Sequence, residues 1–106
     1  MRFVLMALDE EVGKGAPPRP ALEGYGAELV RAGVLLAAEA LSPAAEGARV
    51  RFVGEERILS RPATGAMSRF WMLEAACEDE ALEWARRLPL TSGTVEVRRV
   101  TSDEDR

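Results

Sequence analysis

No histidine occurs in the 106 residues, so any proton transfer falls to a carboxylate, to Lys14, to Tyr25 or to Cys77. Ser-His-Asp and Cys-His nucleophilic catalysis, histidine-ligated metals and imidazole switching near neutral pH are all excluded. Cys77 has no second thiol to pair with, and reads as a small residue at a helix entrance. Asp9, Glu10 and Glu11 match a hard-metal cluster in composition only; with no ligand spacing behind them they read as a solvated loop, and no metal is expected. Gly13-Lys14-Gly15 and Gly24-Tyr25-Gly26 have neither the Walker spacing nor the dinucleotide fingerprint, so no nucleotide or other cofactor is expected. The strongest binding candidate is Glu39, late in an apolar run, where a carboxylate must be solvated or paired. Arg61 and Arg69 bracket the stretch SRPATGAMSR and supply the counter-charge. With Tyr25 and Trp71 as walls, Glu39, Arg61 and Arg69 would line a pocket for a small anionic or aromatic molecule. The plainer reading of Glu39 is a structural ion pair or an edge-strand carboxylate facing water.

Composition narrows the class further. A chain of this length with 47% hydrophobic residues suits one globular domain, Met1 to Val100, followed by a flexible acidic tail, Thr101 to Arg106. A formal charge of −4 argues against a phosphate-backbone partner, because that affinity comes from lysine and arginine displacing counterions. No apolar run reaches the roughly 18 residues of a membrane span, and Met1-Arg2-Phe3 leads into a strand pattern rather than a signal peptide; the expectation is a cytoplasmic protein.

The elements that would position these side chains follow from periodicity. Arg2 to Leu8 is apolar at both parities, the pattern of a strand buried on two faces. Leu22, Tyr25, Gly26, Leu29 and Val30 recur at helical spacing, ahead of Gly33 as a stop. Val34 to Leu41 reads as a second strand, and Ala48 to Leu59 as a hairpin that turns at Gly54 to Arg57. Arg69 to Ala76 is again apolar on both sides. Glu78, Asp79 and Glu80 open a second helix that Arg86 and Arg87 close, with Ala81, Leu82, Ala85 and Leu88 as its buried stripe and Trp84 as a surface or subunit contact. Val95 and Val97 face inward in a final strand, Glu96 and Arg98 outward. The order predicts an α+β, ferredoxin-like sandwich with an inserted β-hairpin. Helices cover only one face of such a sheet, so two-faced central strands would expose Met, Trp or Leu side chains, Trp71 and Met72 among them. A second copy is the simplest cover, giving a homodimer that forms a dimeric α+β barrel.

Five segments in order, RAGVLLAAEALSP, ARVRFVGEERIL, FWMLEA, EALEWARRLP and VEVRRV, resemble the YCII-related family and, within it, the DGPF-type branch. The resemblance implies ferredoxin-like subunits paired into dimeric α+β barrels. It also implies a His-Asp pair in the classical members, which a chain without histidine cannot supply. Where the branch carries Asp-Gly-Pro-Phe, this sequence reads Ser60-Arg61-Pro62-Ala63, and only the proline remains. Where relatives often read Gly-Glu-Gly-Leu-His-Pro, Ala38 to Pro43 keeps Glu39 and has Ser42 at the histidine position. No catalytic residue is carried over. Three functions stay open: a small-molecule pocket near the dimer interface, with Glu39 as base if a lyase or isomerase reaction occurs; a non-enzymatic regulatory partner associated with an extracytoplasmic-function sigma factor; and a structural dimer without a ligand.

Overall fold

The structure is a computed structural model and describes residues 1–8, 19–61 and 67–101. Asp9, Glu10, Glu11 and Lys14, the loop Pro62 to Gly65, and the tail from Ser102 lie outside the described residues.

Among the described residues six strands and two α-helices follow in the order β1 (Arg2–Leu8), α1 (Arg19–Arg31), β2 (Leu35–Ala40), β3 (Arg49–Val53), β4 (Glu56–Ser60), β5 (Met67–Glu74), α2 (Glu78–Arg86) and β6 (Thr94–Arg99). The main sheet has the order β2-β5-β1-β6, antiparallel at every joint, with the two-faced strands β1 and β5 at its centre. This is the α+β arrangement of a ferredoxin-like fold, as the element order predicts.

Register decides which side chain meets which layer. Cross-strand partners share a face and neighbours along a strand alternate. Ala38, Trp71, Leu5 and Val97 therefore form one row and Glu39, Phe70, Met6 and Glu96 the next, on the opposite face. The helices cover the first face. Leu5, Trp71 and Leu73 pack there with Tyr25 and Leu29 of α1 and with Leu88, while Phe3, Ala75 and Ala81 form a second cluster. Phe3, Leu5, Leu29 and Leu73 are fully buried, each contributing about 2 kcal/mol of apolar transfer. Val4, Met6, Phe70 and Met72 point the other way and remain half-exposed.

The helix ends follow their residues. Gly33 takes φ +73°, and the bonds from Gly33 N–H to the Val30 carbonyl and from Val34 N–H to the Leu29 carbonyl make the Schellman closure of α1. Acidic residues fill the first turn of α2 and Arg86 its last, matching the helix dipole. Glu80 reaches back to accept the Ala76 N–H at 2.9 Å, and Cys77 lies exposed at the helix entrance. Three expectations need correction. Val30 faces water, because the stripe of α1 narrows to Tyr25 and Leu29. Trp84 is not a surface contact alone: it is half-buried against the core as well. Trp71, only 2% exposed, lies under the helices and not on the open face, since it shares the parity of Leu73.

Among the described residues β3 and β4 pair only with each other, through a two-residue turn in which Gly54 has φ +61° and Glu55 does not adopt positive φ, the sign pattern of a type II′ turn. All ten strand residues of this hairpin are exposed.

Candidate functional site

The five candidate residues separate into three places. Tyr25, Trp71 and Arg69 come together on the helix-covered side. The Tyr25 ring meets Trp71 edge-on at 5.7 Å between centroids and Trp84 at 6.5 Å. Its hydroxyl donates to the Trp84 carbonyl at 2.7 Å, fastening α1 to the end of α2. Burial raises the Tyr25 pKa far above its ordinary value; the Glu28 carboxylate reinforces the rise and Arg87 opposes it. A tyrosine so placed is a neutral donor, not a base.

Arg69 reaches this cluster because of its register. It lies between Ala7 of β1 and Ala40 of β2, whose methyl side chains leave room for the guanidinium to turn along the sheet. Its guanidinium carbon is 5.9 Å from the Trp71 ring centroid, at the limit of a cation–π contact. Arg69 is half-buried, and its guanidinium has no hydrogen bond or ion pair with any of the described residues.

Glu39 projects from the open face beside Phe70, exposed and without a hydrogen bond or ion pair among the described residues. Because Glu39 and Arg69 leave the sheet on opposite faces, they do not form one ion pair. Arg61 belongs to neither group: its Nη1 donates to the Gly47 carbonyl at 3.4 Å, tying the end of β4 to the segment before β3.

Two shallow hollows are lined by described residues. One, of about 610 Å³, lies between the ends of the two helices and is lined by Glu28, Arg31, Ala32, Trp84 and Arg87, with the Arg87 guanidinium 4.8 Å over the Trp84 ring. The sequence reading missed this pairing, although the i, i+3 spacing of Trp84 and Arg87 at a helix end signals it. The other, of about 420 Å³, is bounded by Met1, Phe3, Cys77, Glu78, Val97 and Arg99. Among the described residues no group of three or more potential ligands could hold a metal ion, and no helix is long and apolar enough to cross a membrane.

No curated protein matches the chain. The model of the YCII-related domain matches residues 1–103, nearly the full length, in agreement with the α+β sheet and its strand order. The chain belongs to the YCII-related family.

Proposed function

We propose that this YCII-related chain is a homodimeric binding protein for a small organic anion, without acid–base catalysis. The observation that carries the reading is Arg69, a half-buried residue whose guanidinium carbon lies 5.9 Å from the Trp71 ring centroid and whose guanidinium has no carboxylate partner among the described residues. Removing a cation from water without a counter-ion is unfavourable, and an anion whose two oxygens accept from the guanidinium fork restores what water supplied. Trp71 and Tyr25 act as the rigid floor beneath it. Nothing near Arg69 among the described residues is an activated base, since Tyr25 is held neutral and Glu39 leaves the other face. The degenerate Asp-Gly-Pro-Phe segment of the DGPF-type branch agrees with a binding role.

Assembly follows from the open face. Val4, Met6, Phe70 and Met72 form an apolar centre, with Glu39 towards one edge and Glu96 and Arg98 at the other, an apolar core within a polar rim. A second copy of the same face covers this surface.

Isothermal titration with benzoate tests the anion site directly. Saturable binding is expected, with Arg69→Gln weakening it by about 10- to 100-fold, the size of a charge-assisted hydrogen bond, and Arg61→Gln leaving it unchanged. Benzoate heats that are absent, or equal in the native protein and Arg69→Gln, remove the site.

A further inference from the structure

The hairpin β3–β4 is the least satisfied part of the molecule. An isolated two-stranded hairpin is marginal in water, yet this one packs its side chains on no buried cluster. One of its faces is apolar: Val50 stands opposite Leu59 and Phe52 opposite Arg57, with Val50, Phe52 and Leu59 51%, 67% and 62% exposed. The Arg57 guanidinium lies 4.6 Å over the Phe52 ring and donates to the Gly54 and Glu56 carbonyls, so a fixed cation is part of that face.

We propose that this hairpin is an exchange arm whose Val50–Phe52–Arg57–Leu59 face docks on a second copy of the chain, closing the rim of the dimer. The inference rests on the sheet-face dimer of the preceding reading and adds the arm as its second contact. Position comes first. β2 ends at Ala40 opposite Arg69, and the Leu41 N–H donates to the Ser68 carbonyl at 2.8 Å, so the hairpin leaves at the β2–β5 end of the sheet. The shortest extent of the molecule, 18 Å, is filled by one sheet and one helix layer, so the arm runs out beyond its own sheet edge, and in a face-to-face pair its apolar face lies along the rim of the other copy.

Charge comes second. Arg49, Arg51, Arg57 and Arg61 against Glu55 and Glu56 give residues 49–61 a net charge of +2, so in a chain of −4 the remainder carries −6. Outside the hairpin the described residues hold 8 arginines and 10 acidic residues, a net charge of −2, so the arm is opposite in sign to the body of another copy, where the Glu39 carboxylate stands without a partner among the described residues. Area comes third. Four strands about 4.8 Å apart and about 20 Å long give a sheet face on the order of 400 Å² in plan, against about 800 Å² per partner in a stable interface. The hairpin face and the surface it covers on the partner each add on the order of 150 Å² in plan, which brings the contact near that size. A two-fold axis satisfies both arms at once.

Sedimentation equilibrium of the native protein, Phe52→Ala, Leu59→Ser and a Val30→Ser control tests the arm, with melting curves confirming that each variant folds. Each arm substitution acts twice in a symmetric dimer, so a dissociation constant raised by about 100-fold or more is expected for Phe52→Ala and Leu59→Ser, and no change for Val30→Ser. A native dimer with arm variants as tight as the native protein overturns the arm and leaves the sheet-face dimer standing. A native monomer overturns both. An equal weakening by Val30→Ser also removes the arm, because the effect would then not belong to the hairpin.

Discussion

Tyr25 is the only tyrosine in the chain, which makes its ionisation directly observable. Its pKa is raised in the fold by burial, so the neutral phenol contributes stability that is complete below the unfolded value of about 10 and falls as pH rises beyond it, by up to about 1.4 kcal/mol per pH unit. In an alkaline titration, the absorbance rise of tyrosinate near 295 nm should coincide with unfolding followed by circular dichroism. A rise that precedes unfolding by a pH unit or more would mean that the hydroxyl is not held against the Trp84 carbonyl. Tyr25→Phe should cost about 1 kcal/mol, the net value of one hydrogen bond. For the other candidate residues the prediction is independence. Glu39→Gln and Arg69→Ala should have additive effects on chemical denaturation, within about 0.5 kcal/mol, because the two side chains leave opposite faces. Coupling above about 1 kcal/mol would show that they meet after all.

At the scale of the elements, Gly33 has a defined role: a Cβ there would touch nothing within 4 Å, so Gly33→Ala costs only the torsional strain of φ +73°. A loss of about 1 kcal/mol in urea unfolding is expected, and none if the Schellman closure is unimportant. Much of this level was legible in the residues. Gly33 as a stop, the acidic-to-basic order of α2 and the inward pair Val95 and Val97 each follow from local chemistry, and the strand order follows from their succession. What could not be read was parity in the central strands. In Phe70 to Leu73 both faces are apolar, so alternation carries no label for the helix side and does not reveal that Trp71 lies beneath α1. The same ambiguity joined Glu39 to Arg69, which adjacent register positions separate onto opposite faces. The depth of Trp84 is illegible for a different reason: the long indole bridges from the helix flank to Tyr25, a contact between elements far apart in the chain.

At the scale of the molecule, the principal extents are 46 × 40 × 18 Å, and the shortest matches one sheet and one helix layer. The radius of gyration, 15.8 Å, exceeds the roughly 13 Å of a compact chain of this length, as a projecting hairpin requires. A two-layer sandwich with apolar side chains on its bare face presents Val4, Met6, Phe70 and Met72 to water, at a cost that a two-fold partner removes. Light scattering at micromolar concentration should therefore give about twice the chain mass of 11.6 kDa. Met6→Lys should shift the species towards the chain mass, since a symmetric interface would then bury two ammonium groups at its apolar centre and draw in with each the carboxylate of its cross-strand neighbour Glu96. The substitution lies on the face away from Leu5, Trp71 and Leu73, so the monomer should keep its fold and its circular dichroism spectrum. A native protein of single-chain mass would sink the dimer. A Met6→Lys variant that stays fully dimeric would place the contact elsewhere, because no apolar interface centred on β1 and β5 accommodates that charge pair.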